Sequence, residues 1–311
     1  MTNSLALDEE QAAILQGLKA EQKFINPKYF YNHHGSKLFE QITELDEYYP
    51  TRTERKILQS RANDIAQLIE PNSLIVEPGA GSCKKIEYLL EALHPSVYVP
   101  QDVSAEFLKQ SAQRLSNEYS WLDVVPVASD FSDPIEIPER LQSLRKYAFY
   151  PGSTIGNFEP EDALNFLKQM RQLVGDNGGM IIGVDLHKDN EILHAAYNDK
   201  KGITAQFNLN TLSHINDILD ADFNIKEFEH VALYNSKKQR IEMYLKSLKS
   251  SAYDVLGETV TFEKGELVHT EHSYKYTIEG IASLAQNSGF LLKHSWTDKK
   301  DLFSVNYLQA Q

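Results

Sequence analysis

The period of hydrophobic and polar positions changes along this chain and divides it. Leu58, Ala62, Ile65 and Ile69 recur at helical spacing and predict an amphipathic helix over residues 54–70. A continuous apolar run, Ser73-Leu74-Ile75-Val76, predicts a buried strand. It is followed by the turn-forming Gly79-Ala80-Gly81-Ser82 and a helical stripe of Ile86, Leu89, Leu90 and Leu93. Further strands are predicted at 97–99, 124–127, 147–150 and 178–185, with helices over 105–119 and from Pro160 onward. Such alternation implies an α/β domain, a doubly wound and mostly parallel sheet with helices on both faces. From about residue 188 the pattern differs. Two helical segments precede period-2 runs at 231–234, 241–248, 259–262 and 267–276, which read as antiparallel strands with Lys264-Gly265 as a hairpin turn. A helix at 278–286 and strands at 290–295 and 303–308 then close the chain. The expected organisation is a core of 53–187 and 277–311. A cap, 1–52, and an insertion, 188–276, are expected to form a second, α+β domain.

Composition narrows the function classes. The 311 residues carry 31 basic and 44 acidic side chains, a formal charge of −13, with no basic block. Binding a phosphate backbone needs concentrated positive charge, so nucleic acid is not an expected partner. Cys83 is the single cysteine, which rules out an internal disulfide and suits a reducing compartment. As a nucleophile it would need a base, and none lies near it in sequence. Residues 1–10 lack a basic start followed by an apolar stretch, and no 18-residue apolar run occurs. A soluble, cytoplasmic protein is expected, and the lack of sustained heptads suggests a monomer. His33-His34 does not suggest a metal site, because adjacent histidines point apart and no acidic or cysteine partners accompany them at ligand spacing.

The densest chemistry sits at the glycine turn. A strand, glycine turn and helix let a backbone approach a nucleotide closely. Asp102 follows Gly81 by 21 residues at the end of the next apolar run, where a carboxylate can accept from ribose hydroxyls. The third glycine of the dinucleotide fingerprint is missing, which argues against a pyrophosphate. Gly79 and Gly81, with Asp102 following, resemble the nucleoside site of class I S-adenosylmethionine-dependent methyltransferases. A plain strand-to-helix turn has the same pattern. A second unusual stretch runs from Tyr29 to Glu54, rich in aromatics, with Gly35 and Pro50. It suits a lid with aromatic walls, or equally a packing surface between domains.

This second stretch carries a closer resemblance. Tyr29-Phe30-Tyr31-Asn32, Gly35-Ser36, Leu38-Phe39-Glu40 and Glu47-Tyr48-Tyr49-Pro50-Thr51-Arg52-Thr53-Glu54 resemble the opening of the histidine-specific N-alpha-methyltransferases of ergothioneine biosynthesis. So do Gly152-Ser153-Thr154-Ile155-Gly156-Asn157-Phe158, Phe207-Asn208-Leu209-Asn210, Arg240-Ile241-Glu242-Met243 and His269-Thr270-Glu271-His272-Ser273-Tyr274-Lys275-Tyr276. Pro78, Asn32 and Gln101 depart from that pattern, standing where a leucine, an aspartate and a small apolar residue are usual.

The resemblance implies S-adenosylmethionine as cofactor, with Gly79, Gly81 and Ser82 at its methionyl part and Lys85 on its carboxylate. Asp102 would hold the ribose, Asp130 the adenine amino group, and Phe131 would cover the ring. It further implies L-histidine as substrate. Asn157 and Tyr197 would grip the carboxylate, with Gly152 near the amine. Phe39 with the catalytic pair Tyr31 and Tyr48 would line the amine, Glu271 and Ser273 would face the imidazole, and Met243 would pack on its edge. Taken alone, Lys85 and Glu271 also read as solvated charges, and Asp130 as an ordinary strand-end aspartate. A tryptophan-type substrate and a catalytically silent cofactor binder are the alternatives. Glu271 opposes the first, since an indole offers one donor and nothing for Ser273; Gly81, Asp102 and Asn157 oppose the second.

Overall fold

The computed structural model describes residues 8–129 and 135–311. Its elements run α1 (Glu9–Lys19), α2 (His33–Thr43), α3 (Tyr49–Ala66), β1 (Leu74–Pro78), α4 (Glu87–Leu93), β2 (Val97–Asp102), α5 (Ala105–Glu118), β3 (Asp123–Val124), β4 (Val127–Ala128) and β5 (Lys146–Tyr150). There follow α6 (Pro160–Val174), β6 (Gly179–Asp185), α7 (Asn190–Tyr197), α8 (Ile203–Leu219), β7 (Phe228–Asn235), β8 (Arg240–Ser247), β9 (Ser251–Val255), β10 (Glu258–Phe262), β11 (Leu267–Tyr274), α9 (Ile278–Asn287), β12 (Phe290–Thr297) and β13 (Phe303–Ala310). The chain divides into two compact units. One holds 1–49 and 189–273, the other 50–188 and 274–311.

The second unit is an α/β sandwich. Its sheet runs β12-β13-β6-β5-β1-β2-β3, with β4 also pairing with β2. β1, β2, β5 and β6 are parallel, and β13 returns antiparallel to β6. Period-2 alternation sends successive side chains to opposite faces. Tyr147, Phe149 and Ile181 join a core with Leu58, Ile65 and Leu89. Ala148, Tyr150, Met180 and Ile182 join another with Phe166, Leu167 and Ile281. Helices on both faces are thus required to cover both apolar surfaces. The strand order reverses between β1 and β5, and such a switch point leaves a crevice at the strands' carboxyl ends.

The first unit packs α1 and α8 against short antiparallel strands. Ile14, Leu18, Leu212, Ile215, Phe228, Leu245 and Val268 share its core. Its strands form a three-stranded sheet, β11-β8-β7, and a separate β10-β9 pair.

Three expectations are corrected. Lys264-Gly265 does not close a hairpin, because β10 pairs with β9, a strand the alternation did not reveal. The hairpin turn is instead Leu256-Gly257, both at positive φ. The strand expected at 124–127 is broken into β3 and β4. The helix expected at 54–70 spans Tyr49–Ala66, starting a turn earlier because Pro50 suits a first turn. No helix among the described residues is long and apolar enough to cross a membrane.

Candidate active site

The glycine turn leaves β1 at the switch point. Gly79 and Gly81 have φ of +66° and +52°, a region that disfavours side chains, and a Cβ on either would meet no atom within 4 Å. Asp102 stands at the end of β2. One of its oxygens accepts the Gly81 N–H at 2.9 Å and the other the Ser104 N–H at 3.0 Å. The carboxylate therefore holds the turn open at its second glycine. A cradle of this kind, open above and closed by a carboxylate, fits the nucleoside and methionyl parts of S-adenosylmethionine. Pro78 costs no hydrogen bond to the turn: Ala80 supplies the N–H, donating to the Gln101 carbonyl at 2.9 Å.

Beneath the turn the side chains are shielded from solvent. Glu77 is buried, and the Tyr98 hydroxyl donates to it at 2.5 Å. Burial pushes the Glu77 carboxyl up to about 8, with the Tyr98 bond and the Lys85 charge offsetting only part of that rise. Cys83 is fully buried, and burial first, then Glu77, pushes its thiol up to about 12. It is a packing residue. Native protein at pH 8 is expected to alkylate with iodoacetamide about a thousandfold more slowly than unfolded protein. Equal rates, read by mass spectrometry, would contradict this burial.

Lys85 and Gly152 are joined by Glu54, a residue to which neither spacing nor resemblance assigns a role. Glu54 on α3 accepts from Lys85 Nζ at 2.9 Å and from the Gly152 N–H at 2.7 Å. Asn157 ends the short turn Thr154–Asn157 that follows Gly152. Ser153, at φ +60°, anchors that turn to the end of β6 by accepting the Asp185 N–H at 2.9 Å. Asp130 and Phe131 lie outside the described residues.

In the other unit the expected aromatics form one string of rings. Centroids of Tyr31 and Phe39 are 5.7 Å apart, Phe39 and Tyr48 6.4 Å, and Tyr48 and Tyr197 6.4 Å. Phe207 is the hub, 5.6 Å from Tyr31, 5.9 Å from Phe39 and stacked on Phe30 at 4.6 Å. Asn32 caps α2 by accepting the Gly35 N–H at 2.8 Å, and it also accepts from Asn210 at 3.0 Å. An asparagine serves here as well as the aspartate usual at this position.

The strands carrying Glu271, Ser273 and Met243 are tied to this string through buried polar groups. The Thr270 hydroxyl lies 2.8 Å from the Asn208 side-chain oxygen and 3.1 Å from the Met243 carbonyl. Asn208 Nδ2 donates to His230 Nδ1 at 2.8 Å and to the Tyr244 carbonyl at 2.9 Å. His230 Nε2 therefore carries the proton and donates to the Tyr197 carbonyl at 2.9 Å. Burial lowers the His230 pKa, against the opposing Tyr197 bond and the Asp199 charge. Glu271 and Ser273 alternate along β11 and so share a face; Met243 is buried on β8.

The glycine turn at the switch point, the aspartate ending the next strand and the reversed last strand define a class I S-adenosylmethionine-dependent methyltransferase. The chain belongs, more narrowly, to the family described as histidine-specific methyltransferase, SAM-dependent, whose model matches residues 10–310. It is 37% identical over 303 residues to a histidine N-alpha-methyltransferase of Mycobacterium tuberculosis, covering 94% of this chain and 92% of that one. To the protein of the same name from Mycolicibacterium smegmatis it is 36% identical, over 98% of each. The ergothioneine biosynthesis protein 1 of Neurospora crassa is 31% identical over 95% of this chain, which matches 35% of that longer protein.

Proposed function

We propose that this protein transfers three methyl groups in succession from S-adenosylmethionine to the α-amino group of L-histidine. The products are N-alpha-trimethylhistidine (hercynine) and S-adenosylhomocysteine, and the reaction is the first step of ergothioneine biosynthesis. The observation that carries this reading is the open glycine turn held to Asp102 at the switch point, in a chain of the histidine-specific family. The cofactor is assigned to the core, 53–187 and 277–311, on Gly79, Gly81, Ser82, Lys85 and Asp102, with Asp130 and Phe131 at the adenine. Bound there, its sulfonium supplies an electrophilic methyl group.

The remaining work belongs to the chain. Displacement at carbon demands an in-line nucleophile about 3 Å from the methyl, so positioning dominates. Asn157 and Tyr197 hold the amino-acid carboxylate with neutral donors, and Gly152 lies near its amine. Glu271 accepts one imidazole N–H and Ser273 satisfies the other nitrogen, with Met243 packed at the ring edge. Tyr31, Tyr48 and Phe39 wall the amine. Aromatic walls with few compensating anions disfavour the ammonium form and so free the lone pair. Tyr31 passes the released proton toward solvent, directly or through water. Tyrosine faces then accommodate the growing positive charge of a methylated nitrogen. The reaction needs no metal. A monomer acting in the cytoplasm is proposed, with residues 1–52 and 188–276 as the substrate domain.

The test is mass spectrometry of purified protein with S-adenosylmethionine and an equal mixture of common amino acids. Histidine should gain three methyl groups. Asn157→Ala should cut kcat/KM by about a hundredfold, as expected when a carboxylate loses its donor. Glu271→Ala should lose histidine or redirect methylation to another aromatic amino acid. Methylation of tryptophan with histidine untouched would overturn the imidazole assignment. Cofactor binding without any methylation would overturn the enzymatic reading.

A further inference from the structure

Glu54 is a charged residue on the apolar stripe of α3. Thr53, Glu54, Ile57 and Leu58 are all buried, and the Glu54 side chain is only 2% exposed. A carboxylate removed from water to this extent carries a desolvation penalty that only close partners offset. Glu54 is partnered on both oxygens, by Lys85 Nζ at 2.9 Å and by the Gly152 N–H at 2.7 Å.

Two glycines make room for this arrangement. A Cβ at Gly183 on β6 would collide with Glu54 Oε1, and a Cβ at Gly152 would fall 2.6 Å from Lys85 Nζ. Four segments therefore converge on one buried carboxylate: α3, the loop after the glycine turn, the turn after β5, and β6. Glu77, the other carboxyl near Lys85, is bound instead by Tyr98. Burial pushes it up to about 8, so at neutral pH it adds little negative charge beside Lys85.

The exposure of the pair is asymmetric. Lys85 keeps 32% of its side chain open while Glu54 keeps almost none. The Glu54 carboxylate is shut away from any ligand, whereas the lysine side chain stays partly accessible. We infer that Glu54 is a positioning residue for the cofactor: it aims the Lys85 ammonium and fixes the Gly152 amide, without touching the ligand itself. This inference rests on the proposed placement of the cofactor carboxylate at Lys85. It extends that placement by naming the group that orients the lysine, which otherwise has four rotatable bonds to immobilise on binding.

The test is a double-mutant cycle in cofactor affinity, measured by isothermal titration of S-adenosylhomocysteine into the full-length protein. Glu54→Gln keeps an acceptor for the Gly152 N–H but removes the charge that holds Lys85. It should weaken binding about tenfold, and Lys85→Met by at least as much. Combining the two should cost no more than Lys85→Met alone, because Glu54 acts through Lys85. Glu54→Asp, which keeps the charge but retracts it by one methylene, should fall between Gln and wild type; the same cycle run with Asp carries the test if the Gln variant does not fold. Fully additive losses would overturn the inference, since a general structural role adds to any loss at Lys85. Unchanged affinity in Lys85→Met would overturn the placement of the cofactor carboxylate instead, and the two failures are thereby told apart.

Discussion

Asp185→Ala is expected to destabilise the α/β unit by about 3–5 kcal/mol, the usual loss when one partner of a buried ion pair is removed. Asp185 ends β6 fully buried. Lys275 contacts it at 2.9 Å and Lys188 closes on its other oxygen, with side chains 0% and 4% exposed. Truncating the carboxylate removes the ion-pair contacts that it makes to both buried ammonium groups. Burial alone raises the Asp185 carboxyl, but Lys275 and Lys188 outweigh it and hold the folded pKa below the ordinary value. The sign of the pH dependence follows. A depressed folded pKa contributes stability that is present above the unfolded value, near pH 4, and is lost as pH falls through the folded one. Wild type should therefore lose this contribution only in acid, and Asp185→Ala should lack it at neutral pH and show a flatter acid limb. Urea denaturation from pH 7 downward measures both effects. A neutral-pH loss below about 1 kcal/mol would mean that the lysines find solvent once Asp185 is gone.

Asp102→Ala is expected to weaken binding of S-adenosylhomocysteine by about a hundredfold or more, two charge-assisted hydrogen bonds at roughly 1.5–3 kcal/mol each. The same substitution leaves the Gly81 and Ser104 amides without their acceptors at 2.9 Å and 3.0 Å. Both losses act on one event, since the turn that must face the cofactor is also the turn that Asp102 holds. Asp102→Asn separates them. Its amide keeps one acceptor oxygen for a backbone N–H but donates where the carboxylate accepted, so it should restore part of the thermal stability and little of the affinity. Titration calorimetry beside a thermal melt reads the two separately. Affinity within threefold of wild type for Asp102→Ala would remove this residue from the cofactor site.

How much of this was legible in the chain depends on the range of the interaction. The strand, glycine turn and helix around residues 74–93 are local, and periodicity places them correctly because a buried strand and an amphipathic helix each write their own repeat. The aromatic string was legible in part. Tyr31, Phe39 and Tyr48 lie within one stretch, and resemblance adds Tyr197, but the hub Phe207 sits far away on α8 and reads like any buried helix position. Glu54 carried a usable signal: a lone carboxylate at i−3 from Ile57 and i−4 from Leu58 on an apolar stripe has to be neutralised by something. What neutralises it was not legible, because Lys85, Gly152 and Gly183 come from three other segments.

Lys264-Gly265 has turn chemistry and does form a turn, yet alternation cannot say which strand a strand pairs with, and β10 chose β9. The amino-acid sequence by itself determined the elements of the sheet core, the glycine turn with its following aspartate, and the family, since each resides in neighbouring residues or in matched blocks. The tertiary structure alone decided the strand order that puts the turn at a switch point, the burial that leaves Cys83 inert, and the buried partners of Asp185, Glu54 and His230. Pairing, burial and pKa depend on atoms brought together across tens or hundreds of residues, and only the closed fold supplies that proximity.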